Sequence, residues 1–119
     1  MPKKVKLVAV VDGEEFQFCN GLMWSNSQGE GSWYEAMKFA ANCQDGGFDD
    51  WRLPTIEELA VVFDYENGEL RIGGWEGYNY WSATTSSNTT PYACYTYLLN
   101  GATHSDLKTS TGNSYRCVR

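Results

Sequence analysis

Two helix-start signals limit this chain more than any other feature. Ser32 and Glu35 stand three residues apart, as do Thr55 and Glu58. This is the spacing at which an N-cap hydroxyl and an N3 carboxylate satisfy each other's backbone amides. Each pair opens an apolar repeat of helical period. The first repeat is Trp33, Ala36, Met37, Ala40 and Ala41, stopped by Gly46-Gly47; the second is Ile56, Leu59, Ala60 and Phe63, ended by Asn67-Gly68. The sequence therefore predicts two helices in the first half of the chain, with Pro54 fixing the entry to the second.

The remainder reads as strand and turn. Lys4 to Val11 and Glu14 to Cys19 flank Asp12-Gly13, a tight hairpin turn, and Gly21 to Ser25 is a short apolar strand before a loop from Asn26 to Gly31. Beyond a Gly-rich loop reaching Tyr78, short strands are expected at Tyr80 to Ala83, Tyr92 to Leu99, Ala102 to Lys108 and Ser114 to Arg119, with a turn at Asn100-Gly101. The expected fold class is α+β, with two helices packed on antiparallel sheets and a loop-rich C-terminal half. At 119 residues the chain is one domain, residues 1–119.

Charge and composition narrow the function. A net charge of −6 repels a phosphate backbone, so nucleic acid is not an expected partner. The one basic cluster, Lys3, Lys4 and Lys6, reads as edge-protecting charge on a first strand. No apolar run approaches the ~20 residues that span a bilayer, so no membrane insertion is expected. The Val5–Val11 run is too short for an export signal and ends in a turn. The expectation is a cytoplasmic protein or a part of a larger displayed one. The four cysteines, Cys19, Cys43, Cys94 and Cys117, form no CxxC pair, and free buried thiols are expected.

Four stretches carry a family resemblance: Gly21-Leu22-Met23-Trp24; Trp33-Tyr34-Glu35-Ala36; Gly46 through Thr55 with its Asp49-Asp50-Trp51-Arg52-Leu53-Pro54 core; and Tyr80-Trp81-Ser82 with the terminal Arg116-Cys117-Val118-Arg119. Together they resemble the Lcl C-terminal domain family. That family is similar in fold to C-type lectins and to formylglycine-generating enzymes. The resemblance implies ligand binding, to glycans in some extracellular adhesins. It also implies that Cys43, near the first helix, and Cys117, in the last strand, lie side by side. Asp49, Asp50, Trp51, Arg52 and Trp81 are expected to hold the fold together, with the Arg52 guanidinium pairing with carboxylates or carbonyls and stacking on Trp51.

A break in composition suggests more. All nine Glu lie at or before Glu76, and all three Gln and three Met lie in the first 78 residues. Residues 82–107 use only Ser, Ala, Thr, Asn, Pro, Tyr, Cys, Leu, Gly, His and Asp. Each of these has a codon ending in a pyrimidine, so randomising the adenines of Asn codons generates this set without stop codons. In this the chain resembles the variable proteins of diversity-generating retroelements. The implied division is a scaffold over residues 1–81 and a hypervariable region over residues 82–115. Its expected ligand-facing residues are Ser87, Asn88, Tyr92, Tyr95, Tyr97, Leu99, His104, Asp106, Asn113 and Tyr115, with Thr96 and Leu98 turned inward. The partner would be a protein ligand. The alternative is a fixed-specificity glycan-binding or adhesin-type domain using Trp75, Tyr78 or Trp81.

No enzyme, cofactor or metal is expected. His104 is the sole imidazole and has no nearby Ser-Asp or Cys partner in sequence. Cys94 and Cys117 are too far apart in sequence to match the close cysteine pair of the formylglycine-generating enzymes. The calcium-site tripeptides of sugar-binding C-type lectins are missing, and Asp45, Asp49 and Asp50 do not form a dense ligand loop.

Overall fold

The computed structural model describes residues 7–86 and 91–119. Nine strands and two short α-helices follow in the order β1 (Val8–Val11), β2 (Glu14–Cys19), β3 (Leu22–Gly31), α1 (Trp33–Asn42), α2 (Ile56–Ala60), β4 (Phe63–Asp64), β5 (Glu69–Leu70), β6 (Asn79–Thr85), β7 (Tyr92–Tyr97), β8 (Ala102–Leu107) and β9 (Asn113–Val118). Seven of the strands form one sheet in the order β1-β2-β3-β9-β6-β7-β8, and β4 and β5 form a separate small hairpin. All pairings are antiparallel except β6 with β9, which run parallel.

This overturns the expected α+β class with purely antiparallel sheets. The protein is mainly β around one mixed sheet, and its helices have only 10 and 5 residues. The C-terminal half is built of strands rather than loops. Both capping boxes form as the spacing requires, but helix length differs. The second helix gives out at Ala60 because the β-branched pair Val61-Val62 and the Asn67-Gly68 turn favour a hairpin. Phe63 is buried from strand β4, not from a helical stripe. On α1 the buried residues are Ala36 and Ala40, with Trp33 and Phe39 packed beside them; Met37 and Ala41 face water. The loop expected over Asn26–Gly31 is instead the second half of the ten-residue strand β3.

Neighbouring residues on the central strands divide between two cores. Met23, Trp81 and Cys117 pack with Ala36 and Ala40 of α1. Their neighbours Trp24, Tyr80 and Val118 pack with Leu59 of α2. The period of two along a strand thus places one helix on each face of the sheet.

Two bulges share one construction. The register shifts between Trp24 and Gln28 against β9, and between Trp81 and Thr85 against β7. In each, the residue after the tryptophan is a fully buried serine. Ser25 Oγ donates to Ser27 O and accepts from Cys117 N–H, both at 2.9 Å. Ser82 Oγ donates to Cys94 O at 2.7 Å and accepts from Thr84 N–H at 3.1 Å. The hydroxyls satisfy main-chain groups that the irregular ladder leaves unpaired. The second bulge also anchors both helices: Trp33 Nε1 donates to Ser82 O, and Ile56 N–H donates to Thr84 Oγ1.

Candidate functional site

The register of β6, β7 and β8 defines the candidate surface. Tyr97 lies between Asn79 and Ala102, and Tyr95 lies between Trp81 and His104. Ala93 lies beside Asp106. These residues share the α1 side of the sheet, yet α1 packs mainly on β3 and β9. Trp81 at the inner edge is fully buried, Tyr95 and Tyr97 are half-buried, and His104 at the outer edge is exposed. The Tyr95 ring meets Trp81 edge-on at 6.3 Å and leans on His104 at 5.5 Å. A graded row of rings thus runs from the core to water, held on regular strands.

The floor of this face is fixed from below. The Asp106 carboxylate accepts from Ser110 Oγ at 2.9 Å, Asn113 Nδ2 at 3.1 Å and Leu107 N–H at 2.8 Å. Lys108 is buried with its ammonium 4.3 Å from the Trp33 ring centre. The charged groups here are committed to the protein's own structure, which leaves a surface of tyrosine, histidine and amide.

The predicted site residues do not all meet. Tyr95, Tyr97 and His104 come together, while Thr96 and Leu98 point into the α2 side. Tyr92 is exposed but on the opposite face, in register with Leu107, and Leu99 is exposed in the turn beyond β7. Asn113 and Tyr115 are buried, and the Tyr115 ring lies over Gly29 and against Phe39 at 5.0 Å. Asp106 is tied up as described. Ser87 and Asn88 lie outside the described residues. Asn79, which shares the face through its register with Tyr97, was not among the sequence candidates; its parity with Trp81 was the available signal.

The expected structural residues also rearrange. Arg52 pairs with the Glu58 carboxylate, at 2.7 and 2.8 Å, and reaches the Leu53 carbonyl at 3.4 Å. Trp51 is turned inward, with its ring 6.1 Å from Phe16, and is not stacked on Arg52. Asp50 instead binds Arg119 at 2.5 and 3.0 Å, and Arg119 in turn covers Phe48. Asp49 is exposed. The helix carboxylate wins Arg52 because Glu58 is already fixed by its capping bond to Thr55 N–H at 2.8 Å. Arg52 and Thr55 together hold Glu58 down to about 2.

Of the aromatic residues proposed to stack on sugar, Trp81 is fully buried beneath α1. Trp75 is boxed by Trp24, Tyr80 and the Arg116 guanidinium. Arg116 is 1% exposed and bonds carbonyls, not carboxylates: Ser25 O at 2.5 Å and Gly73 O at 2.9 Å. Burial pulls its pKa down to about 10. Only Tyr78 of the three is open.

A family model described as the Lcl C-terminal domain matches residues 18–119. The chain belongs to this family. In this Lcl C-terminal domain the Asp-Trp-Arg-Leu-Pro-Thr segment is tied to the last strand at Arg52, which exchanges main-chain bonds with Val118 at 2.9 and 2.8 Å. No curated protein matches the chain.

The Lcl domain has a shallow cleft of about 610 Å³ beside α1, lined by Glu35, Lys38, Phe39, Asn42, Asp45 and Cys43 among others. No local sequence pattern announced it. Its carboxylates are engaged: Glu35 caps Ser32 N–H, and Asp45 binds Asn26 N–H, Ser27 N–H and Ser27 Oγ. Behind its wall, Cys43 and Cys117 are neighbours in one buried cluster. Burial first, and then this neighbour, push Cys117 up to about 12. Burial also raises Cys19, Cys43 and Cys94. Thiols raised in this way are the reverse of activated nucleophiles. Among the described residues, no three His, Cys, Asp or Glu side chains cluster as metal ligands.

Proposed function

We propose that this Lcl domain is a ligand-binding module, not an enzyme, and that it meets a protein ligand with a diversified surface on β6–β8. The observation that carries the reading is the graded aromatic row of Trp81, Tyr95 and His104, with Tyr97 and Asn79 beside it. Tyrosine gives large contact area at small entropic cost, and amides and hydroxyls adapt their hydrogen bonds. The surface stands on regular strands with a buried floor, so exposed side chains can change without moving the backbone.

The composition break supports diversification by adenine-directed retroelement mutagenesis. Within residues 82–115, sibling proteins would then vary at Tyr95, Tyr97, Leu99, Thr103, His104 and Ser105. They would keep the buried Ala93, Thr96, Leu98, Lys108, Asn113 and Tyr115. Sequencing the DNA that flanks the gene tests this. The expected finding is a near-copy of the 3′ end, differing at adenines, beside a reverse-transcriptase gene. A flank without such a copy would reduce the composition break to ordinary strand preference and overturn the diversified reading.

A further inference from the structure

We propose that the cleft beside α1 binds a guanidinium group, at a site apart from the surface on β6–β8 and independent of it. The cleft has an aromatic floor. The Tyr115 ring lies over Gly29 and meets the half-buried Phe39 at 5.0 Å. Only glycine allows this, because a Cβ at Gly29 would fall 2.5 Å from the ring. Tyr115 is 7% exposed, yet among the described residues its hydroxyl has no hydrogen-bond partner. A phenol set so deep ordinarily finds one. Tyr115 lines the cleft, and that is where a ligand can reach it.

The chemistry of the ligand follows from the spare groups around that phenol. Glu35, Phe39 and Asn42 follow one another on α1 at spacings of four and three, so they share one side of the helix. Glu35 spends Oε1 on Ser32 N–H at 3.2 Å; among the described residues its Oε2 accepts no hydrogen bond and its charge meets no cation. Asn42 donates Nδ2 to Lys38 O at 3.0 Å, which leaves its Oδ1 open. Burial and then the Glu35 carboxylate push the Tyr115 phenol up, so it stays neutral with a negative neighbour. Spare acceptors call for donors, and an unpaired carboxylate calls for a cation. A guanidinium supplies both. Its planar fork carries five N–H donors, and its face stacks on aromatic rings. An ammonium offers three donors and no plane. An anion would meet the Glu35 charge and a chain of net charge −6. Lys38, the cleft's own cation, is exposed and pairs with no carboxylate among the described residues.

The test is a titration of the full chain followed by NMR amide shifts across the millimolar range. The probe is arginine blocked as its N-acetyl amide, and blocked citrulline is the neutral control. Blocked arginine should give saturable shifts along α1 and around Tyr115, and citrulline should not. Glu35→Gln keeps an acceptor for the capping bond but loses the charge, and should weaken binding at least about tenfold. Tyr115→Phe keeps the ring and should weaken binding several-fold. Lys38→Gln removes a like charge and should bind as tightly or more tightly. A wild-type chain without saturable shifts in the cleft overturns the proposal, as does citrulline binding as tightly as arginine, or a loss of binding in Lys38→Gln. Indifference to Tyr115→Phe also overturns it, whatever Glu35→Gln does to folding. Parallel titrations with agmatine and with a blocked Ala-Arg-Ala tripeptide separate the two sources of the group. Tighter binding of the peptide assigns the site to an arginine side chain of a protein, tighter binding of agmatine to a free guanidinium compound, and either upholds the site.

Discussion

Removing the Glu58 carboxylate tests whether the Arg52–Glu58–Thr55 unit holds the second helix against the sheet. Glu58 binds Arg52 through both oxygens and accepts Thr55 N–H, and its pKa falls from the usual 4.5 to about 2. Taken whole, that difference is worth roughly 3 kcal/mol. The Arg52 side chain is 48% exposed, so water screens the pair and the expected contribution is roughly 1–2 kcal/mol. Glu58→Ala should therefore lower the urea midpoint at neutral pH by about 1 M, read by tryptophan fluorescence. Glu58→Gln can still accept the capping bond, so it should lose about half as much. The sign with pH is fixed. A carboxyl depressed by folding stabilises fully above its unfolded value near 4.5, and loses that contribution as pH falls through its folded value near 2. The gap between wild type and Glu58→Gln should hold from pH 7 to 5 and narrow steadily below. A gap under about 0.5 kcal/mol for Glu58→Ala at pH 7, or one that persists undiminished at pH 3, would refute the reasoning.

Three further outcomes are expected. Ser25→Ala and Ser82→Ala each strand buried main-chain groups and should cost about 1–3 kcal/mol in urea unfolding, adding nearly fully when combined. Gly101→Ala should lower the melting temperature by several degrees, because Gly101 sits at φ +75° and a new Cβ would come within 2.7 Å of the Phe63 ring. Alkylation at mildly alkaline pH, mapped by mass spectrometry, should label the half-exposed Cys94 well before Cys117, whose thiol is pushed up to about 12; in denaturant the four should react alike.

Local chemistry was legible in the sequence, and pairing across distance was not. The capping boxes at Ser32 and Thr55 form as their spacing demands, since every bond involved lies within one turn. Asp12-Gly13 makes its tight turn with both residues at positive φ. Helix length was misjudged because Phe63 fits the helical repeat from Ile56, although a two-residue strand buries it equally well. Which carboxylate pairs with Arg52 was not legible, because only the formed helix swings Glu58 into place. Burial of Asn113 and Tyr115 went unseen because their strand lies inside the sheet rather than at its rim, a matter of topology that no neighbouring residue signals.

That placement of β9 governs when the molecule can exist at all. The strand closest to the C-terminus is the seam between β1–β3 on one side and β6–β8 on the other. A growing chain can assemble each three-stranded half as it leaves the ribosome, but no strand ladder joins the halves until Asn113–Val118 arrives to zip them together. Until then the two tryptophan-bearing strands, β3 and β6, each keep a bare edge. The continuous sheet is thus completed only by its last strand. A truncation that removes Asn113–Val118 would be expected to leave the sheet in two parts, not a slightly weakened domain.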